Sequence, residues 1–472
     1  MERLTKSNFL TFLSCPREFW LKAKKPELFL SEDTLQYTHL REQGYKFEAE
    51  AKKLNIFQID GAARMVEFGR VFETFTLYAK SDAVVTDTST GGIHIYEIKS
   101  SASVKDEHIY DVAFQWIAAE GAGFQVTGAS VITVNTSYVR NGDIDPAQIC
   151  SVTDVTDRVL QNKEAIRTAI ATAFECLDVE PRREILGYCG SKLDCTFIRH
   201  HFPDLPEYTV FALGNLNQTK RDELIAQGII DIRDIPEDFK LSDRQRIQVD
   251  TARTGEARIN VEDIKNRLEG LVYPLHFLDY ETFGYAVPHH AGIRPYQQMA
   301  FQYSLHTLSE PGGECVHTYF LSDGSGTPPL EMARSLRDSI GDNIGTVIVW
   351  SQGFEKTVNK QIGEMFPEFA DFFAEVNDRT FDLRKIFSDL LYVHPSFHGS
   401  TSIKKVMPVV APHLSYDSLE IGDGMTASIK WFHMATGRNG EEESRAIYEA
   451  LCAYCHLDTW AMVEIFKFLK AL

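Results

Sequence analysis

The chain has 472 residues, a formal net charge of −19 at pH 7, and 44% hydrophobic and 11% aromatic residues. This length predicts two or three domains with ample core, and the composition excludes an intrinsically disordered chain. The acidic balance argues against indiscriminate nucleic-acid binding over the whole surface but allows a groove with local positive charge. Because no apolar run could span a bilayer and the N-terminus lacks a signal peptide, we expect a cytoplasmic protein with no membrane partner.

The predicted elements of the first block are helices, then strands, then helices. Residues 1–60 are typical of aromatic-rich helices, and residues 66–100 alternate apolar and polar positions as an antiparallel pair of strands does. Amphipathic helices are predicted over 108–122 and 155–178, with a strand near 126–134 between them.

A charged, helical connector follows from about residue 208 to 270, and its segment Leu224–Pro236 resembles a small helical hairpin. The last block is predicted to contain strands at 273–280, 298–307 and 345–350, a helix at 354–364 and a closing helix around Asp458. The fold class expected is α/β, in three parts: 1–201, 202–270 and 271–472.

The most informative pattern in the last block joins a predicted strand to a distant helix. Residues two apart on a strand share a face, so Asp279 and Glu281 present two carboxylates side by side. Residues four apart on a helix also share a face, which aligns Tyr454 with Asp458. Carboxylates gathered from separate elements are what two divalent cations need to clamp a phosphodiester. The pattern therefore predicts a metal-dependent nuclease.

The first block carries a second constellation. Glu97 and Lys99 share one face of a predicted strand, and Asp82 lies on the neighbouring strand. Two carboxylates can hold a cation, while the lysine can orient or deprotonate the attacking water. Glu48 on an upstream helix and Gln115 on the following helix complete the pattern.

This order resembles the PD-(D/E)XK nucleases of the RecB type, including the CRISPR-associated exonucleases, over roughly residues 1–201. The resemblance implies that Asp82 and Glu97 are metal ligands and that Lys99 is the catalytic lysine. It also implies that Glu48 completes the ligand shell and that Gln115 contacts substrate or orders water.

Many RecB-type relatives hold an iron–sulfur cluster on four cysteines. By that resemblance Cys15, Cys189 and Cys195 fit three ligands, but His201 stands where the fourth cysteine is expected. A 4Fe–4S cluster, a Zn²⁺ ion and a decayed site without metal all remain open.

The last block is similar to the DnaQ-like 3′–5′ exonucleases of the ribonuclease H-like fold, in their DEDD arrangement. The resemblance implies that Asp279, Glu281, Glu355 and Asp458 hold two Mg²⁺ or Mn²⁺ ions and that Tyr454 orients the attacking water. Glu355 stands where that family usually has aspartate, and Asp382 is the alternative for its role.

The same block resembles a bacterial family with a domain of unknown function that couples both halves, through segments 295–298, 301–306 and 399–405. Five side chains are candidate nucleic-acid contacts in this region: Gln298, Gln302, Ser402, Lys404 and Lys405.

These patterns favour a nuclease that acts on DNA ends or single strands, with a role in DNA repair or in defence against foreign DNA as a further hypothesis. Two rivals stay open: only one of the two sites cuts, or both have decayed and the protein is a nucleic-acid-binding adaptor. RNA also remains a candidate substrate, because no residue evidently senses a 2′-hydroxyl. The oligomeric state and any partner helicase or nuclease are left unassigned.

Overall fold

The computed structural model describes residues 3–28, 34–58, 63–181, 198 and 202–472. The chain is mixed α/β and forms two compact units. The first unit comprises residues 1–190 with 284–297, and the second comprises 191–283 with 298–472. Within the residues described, no helix has both the length and the apolar content needed to cross a membrane.

The first unit contains a five-stranded sheet and a three-stranded sheet. The strands of the unit are β1 (Leu4–Thr5), β2 (Arg64–Phe68), β3 (Val71–Glu73), β4 (Leu77–Lys80), β5 (Ala83–Asp87), β6 (Ile93–Ile98), β7 (Val126–Val134) and β8 (Cys150–Asp154). Its helices are α1 (Lys6–Ser14), α2 (Pro16–Lys24), α3 (Leu35–Ala51), α4 (Asp106–Gly121), α5 (Pro146–Ile149) and α6 (Thr156–Cys176). The large sheet has the order β2-β5-β6-β7-β8, with β6 and β7 parallel, and β1, β4 and β3 form a smaller sheet.

The pleat of β6 determines which of its side chains are covered. Ile93 and Ile95 are buried in the core to which α4 contributes Phe114. Because side chains two apart share a face, the next residue on that face is Glu97. A carboxylate is thereby buried where the sheet would otherwise continue with an apolar side chain, and its exposed fraction is 1%.

Segment 284–297 lies within the block that the sequence analysis assigned to the last domain, yet it packs in the first unit. Ala286 lies in the same core cluster as Ile132, and its backbone N–H donates to Gln43 Oε1 at 3.1 Å. Tyr296 Oη donates to the carbonyl of Ser100 at 2.6 Å. The predicted boundaries at 201 and 270 do not anticipate this return of the chain.

The second unit contains a five-stranded mixed sheet and a two-stranded sheet. The strands of the unit are β9 (Arg258–Ile259), β10 (Leu275–Phe283), β11 (Met299–Leu308), β12 (Cys315–Leu321), β13 (Thr346–Val349), β14 (Thr380–Asp382) and β15 (Tyr392–Val393). Of these, β9 and β15 form the two-stranded sheet. Its helices are α7 (Gln218–Ala226), α8 (Asp243–Thr254), α9 (Val261–Glu269), α10 (Pro328–Ile340), α11 (Gln352–Met365), α12 (Ala370–Asp378), α13 (Lys385–Ser388), α14 (Ile403–Val410), α15 (Gly424–Ala435) and α16 (Glu441–Ala471). The five-stranded sheet has the order β12-β11-β10-β13-β14; β10 is antiparallel to β11 and parallel to β13.

Strand β10 lies at the centre of the five-stranded sheet and is covered on both faces. Leu275 and Phe277 belong to a core cluster that includes Phe466 of α16, whereas Leu278 and Tyr280 belong to a cluster on the opposite face. The alternation places Asp279 on the face that α16 covers, two positions beyond Phe277.

The predicted hairpin at Leu224–Pro236 is only partly helical. Helix α7 ends at Ala226, and Gly228 takes a positive φ of 77° just beyond it. The second arm is a single 3₁₀ turn, Ile232–Asp234. A residue that precedes proline avoids the α region, so Pro236 stops the turn from extending as a helix.

Gly345, which precedes β13, is a position at which a side chain should be costly. Its φ is +56°, and an added Cβ would collide with the carbonyl oxygen of Pro274. We expect Gly345→Ala to lower the free energy of unfolding by about 3 kcal/mol or more, from backbone strain and overpacking together. Gly341→Ala is the matched control, because Gly341 also has a positive φ (+71°) but open space around it. Urea unfolding of both variants measures the difference, and equal losses would contradict the steric argument.

Candidate active site

Three carboxylates meet where α16 crosses the end of β10. Asp279 and Glu281 come from the strand and Asp458 comes from the helix, and one oxygen of each lies within 4.8 Å of the others. Glu281 and Asp458 are 7% and 8% exposed, and Asp279 is partly exposed. The structure thus brings together the two halves of the sequence pattern, which are separated by most of the block.

Burial and mutual repulsion raise the pKa values of this group. Burial, reinforced by Asp458 and Glu281, raises the pKa of Asp279 well above its usual value. Burial and the charge of Asp458 raise the pKa of Glu281 to about 8. Burial raises the pKa of Asp458 to about 6, although a hydrogen bond from Tyr416 opposes the shift. The negative charge of these carboxylates is not balanced by enough positive charge, and a bound cation would reduce their mutual repulsion.

One lysine and two tyrosines surround the carboxylates. Lys404 Nζ lies 3.4 Å from Tyr454 Oη and 5.3 Å from the ring centroids of both Tyr454 and Tyr416. Its positive charge opposes the rise in the pKa values of Glu281 and Asp458 but does not cancel it. Tyr416 Oη donates a hydrogen bond to Asp458 Oδ1. Sequence reasoning named Tyr454 and Lys404 but missed Tyr416, because nothing in its local sequence distinguishes it.

Glu355 lies in the first turn of α11, outside the group of three. It is 4% exposed, and its Oε2 atom has no hydrogen-bond partner among the described residues. Burial raises its pKa to about 7, and its charge contributes to the raised pKa of Asp279. Asp382, the alternative acid, accepts a hydrogen bond from the backbone N–H of Gln352 at 3.3 Å, which is a helix-capping contact.

The remaining predicted nucleic-acid contacts differ in accessibility. Gln302 is 1% exposed and donates to the carbonyl of Leu451 at 3.0 Å, so it ties β11 to α16 and is not available to a nucleic acid. Gln298 is exposed and accepts a hydrogen bond from Thr282 at 2.7 Å. Ser402 and Lys405 are exposed at the start of α14.

In the first unit, Glu97, Lys99 and Gln115 form one buried network. Lys99 Nζ lies 2.6 Å from Glu97 Oε1, and Gln115 Nε2 donates to Glu97 Oε2 at 2.6 Å. Gln115 is fully buried, and its Oε1 accepts a hydrogen bond from Ser81 at 2.5 Å. In this position the side chain of Gln115 holds Glu97 in place, and its expected role of contacting substrate or ordering water stays a prediction.

Two members of this network were missed by sequence reasoning. Lys6 Nζ lies 2.9 Å from Glu97 Oε1 and 3.3 Å from Asp111 Oδ1, and Lys99 Nζ lies 2.7 Å from Asp111 Oδ2. Burial pushes the pKa of Glu97 upward, but Lys99 and Lys6 outweigh it and lower that pKa to about 2. The i,i+4 spacing of Asp111 and Gln115 was the available signal for Asp111.

Asp82 and Glu48 are placed differently. Asp82 Oδ2 accepts a hydrogen bond from the backbone N–H of Ile98 at 2.7 Å, and burial with the charge of Glu97 raises its pKa to about 7. Glu48 forms an ion pair with Lys52 at 2.6 Å. Among the described residues, Glu48, Asp82 and Glu97 do not form a three-ligand group of the kind seen in the second unit.

Charge balance separates the two sites. In the first unit, the ammonium groups of Lys6 and Lys99 each form ion pairs with both Glu97 and Asp111. In the second unit, Lys404 is the cation whose charge lowers the pKa values of Glu281 and Asp458. The second site therefore has the greater demand for added cations. A cavity of about 440 Å³ lined by Lys99, His108 and Asp111 gives access to the first network.

Of the four proposed cluster ligands, Cys15 lies among the described residues. Cys15 is buried at the start of α2, where its Sγ accepts a hydrogen bond from the backbone N–H of Glu18 at 3.3 Å. Cys189, Cys195 and His201 lie outside the described residues.

Residues 276–402 match the model of a family described as a domain of unknown function, DUF2779. The match spans less than half of the chain; it includes Asp279, Glu281 and Glu355 and ends before Asp458. No curated protein matches the sequence.

The repulsion in the carboxylate group predicts a pH-dependent effect of Asp279→Asn. A carboxyl with a raised pKa in the folded state contributes stability below its unfolded-state pKa of about 4, and loses it as the pH rises through the folded-state value. With EDTA present, we expect Asp279→Asn to match the wild type near pH 4, where the carboxyl is largely protonated in the unfolded chain as well. At pH 8 it should exceed the wild type by at least about 1 kcal/mol in unfolding free energy, the equivalent of roughly one pKa unit.

Thermal or urea unfolding at both pH values checks this expectation. Asp378→Asn is the matched control, because Asp378 is exposed at the end of α12. A variant that is equally destabilised at both pH values would contradict the repulsion argument.

Proposed function

We propose that the protein is a divalent-metal-dependent nuclease that hydrolyses phosphodiester bonds of DNA at the carboxylate site of the second unit. The observation that carries the proposal is the convergence of Asp279, Glu281 and Asp458 with their oxygens within 4.8 Å. The strand–helix origin of these acids supports the resemblance to DEDD exonucleases, which act on chain ends.

The donor set fits Mg²⁺ or Mn²⁺. Every candidate ligand is a carboxylate oxygen, which hard divalent cations prefer over softer metals. The unpartnered Oε2 of Glu355 and the raised pKa values of the three acids are what a cation would satisfy. When bound, two such cations supply an activated water and stabilise the leaving oxygen.

The chain's own residues would bind the cations and orient the reacting groups. Asp279 and Glu281 present their oxygens from a rigid central strand, and Asp458 presents its oxygens from α16. Burial and the charges of Asp458 and Glu281 raise the pKa of Tyr454, so its hydroxyl stays protonated at neutral pH and acts as a hydrogen-bond donor, not as a base. Tyr416 holds Asp458 in place through its hydrogen bond.

We propose the Glu97–Lys99 network as a second phosphodiester site. Burial lowers the pKa of Lys99, but Glu97 and Asp111 outweigh it and place that pKa above its ordinary value. Lys99 therefore stays protonated, which favours charge stabilisation or water orientation over proton abstraction. A cation at this site would compete with Lys6 and Lys99 for Glu97.

The decisive experiment incubates the purified full-length protein with end-labelled single- and double-stranded DNA and RNA in Mg²⁺, Mn²⁺ or EDTA. We expect metal-dependent shortening of DNA, and a loss of at least about 100-fold in rate for Asp279→Asn, since a ligand that contributes several kcal/mol to the transition state corresponds to such a factor. Lys99→Ala tests the first-unit site in the same assay.

Asp378→Asn and Lys80→Ala are the matched controls, because both residues are exposed and lie outside the two sites. Cleavage at the wild-type rate in the Asp279→Asn, Lys99→Ala double variant would overturn both site assignments. Binding without cleavage under every metal condition would favour the adaptor, and shortening of RNA alone would reassign the substrate.

Two adjacent lysines allow a test of the site's electrostatics. Lys404 lowers the pKa values of Glu281 and Asp458, so Lys404→Ala should raise both and move the acidic limb of the pH–rate profile upward by about 1 pH unit. Lys405 is exposed and should change KM or the salt dependence without moving that limb. A profile that moves equally in both variants would contradict the placement of Lys404 at the carboxylates.

A further inference from the structure

Three histidines converge elsewhere on the second unit. His306 on β11 and His317 on β12 are directly paired in the antiparallel register, and their ring centroids lie 4.4 Å apart. The ring of His456 on α16 lies 4.8 Å from that of His306 and 4.6 Å from that of His317. One nitrogen of each histidine lies within 4.8 Å of the others.

Two hydroxyl groups fix the rings of the strand histidines. His306 Nδ1 lies 2.8 Å from Thr459 Oγ1, and His317 Nε2 lies 2.9 Å from Ser304 Oγ. Ser304 and Thr459 are themselves hydrogen-bonded at 2.7 Å. Each of these two rings therefore has one nitrogen held by a hydroxyl group, as in metal sites whose outer hydrogen bonds set the tautomer.

Burial favours neutral imidazoles, which is the form that binds a metal. It lowers the pKa values of His306, His317 and His456. His306 is 2% exposed, and the charge of Lys467 further disfavours its protonation. Stacking of the rings with each other and with Trp460 is the competing explanation for the cluster, and it requires no metal.

We propose that His306, His317 and His456 bind one borderline divalent transition metal, in the first place Zn²⁺, with Ser304 and Thr459 as its outer hydrogen-bonding shell. Imidazole nitrogens suit Zn²⁺, whereas the carboxylate site suits harder cations. Nitrogens around tetrahedral Zn²⁺ stand about 3.4 Å apart, so binding requires modest side-chain rotation. The site is independent of the nuclease assignment.

The metal would clamp α16 to the sheet beside the carboxylates. Thr459 directly follows Asp458, and Ser304 is the cross-strand partner of Asp279. The proposed role is structural: the metal holds in place the helix that carries Asp458.

The test strips the full-length protein with EDTA and titrates Zn²⁺ against a competing chelator. We expect a tight equivalent that is present in the wild type and in Asp279→Asn and is lost in His317→Asn. Thr459→Val should weaken the affinity by about 10- to 100-fold, as outer-shell changes do. His413→Asn is the matched control, because His413 is exposed and lies outside the triad.

Co²⁺ substitution distinguishes metal binding at the three histidines from metal binding at the proposed cluster ligands, which include Cys15. All-imidazole ligation predicts visible bands without a thiolate charge-transfer band, and these bands should persist in Cys15→Ser. Circular dichroism and the Tm in EDTA check that His317→Asn still folds. Zinc binding that is unchanged in both His317→Asn and His456→Asn, or no tight zinc in the wild type, would overturn the proposal and leave ring stacking as the explanation.

Discussion

The pleat of β10 is the constraint on which the second unit depends. The face that buries Leu275 and Phe277 beneath α16 continues, two residues at a time, with Asp279 and Glu281. The apolar contact therefore also places carboxylates under the helix. Burying each large apolar side chain contributes about 1.5–3 kcal/mol, whereas each pKa unit of crowding costs about 1.4 kcal/mol. Several apolar neighbours outweigh that repulsion, so the site can be assembled before any cation arrives.

The same pleat logic in the first unit leads to a different electrostatic outcome. Glu97 continues the buried face of Ile93 and Ile95, but two lysines of the chain already neutralise it. A buried carboxylate that loses such a partner is strongly destabilising, so these ion pairs hold the network together without metal. They also compete with any cation for the same oxygens. Both units thus bury carboxylates on the face of a sheet, but nearby lysines balance the negative charge to a greater extent in the first unit than in the second.

Local periodicity predicted the parts of each site that lie on one element, and it could not predict what depends on three-dimensional pairing. Strand alternation placed Asp279 with Glu281, and helical spacing placed Tyr454 with Asp458. Lys6 meets Glu97 across 91 positions of sequence, and no local pattern encodes that contact. The histidine pairing depends on the register between β11 and β12, which the intervening turn sets. The return of segment 284–297 to the first unit was hidden for the same reason.

Helix α16 links the proposed metal sites of the second unit by its geometry. At 100° per residue, Asp458, Thr459 and His456 follow one another around the helix. Asp458 meets the carboxylates of β10, Thr459 meets β11, and His456 meets the histidine pair of β11 and β12. A rigid helix cannot shift at one of these contacts without moving the others. If a metal at the histidines favours the position of α16 that also assembles the carboxylates, linkage requires that cations there strengthen histidine ligation by the same factor. The hydroxyl pair of Ser304 and Thr459 connects the two sites, because Thr459 follows Asp458 in sequence and Ser304 pairs with Asp279 across the strands.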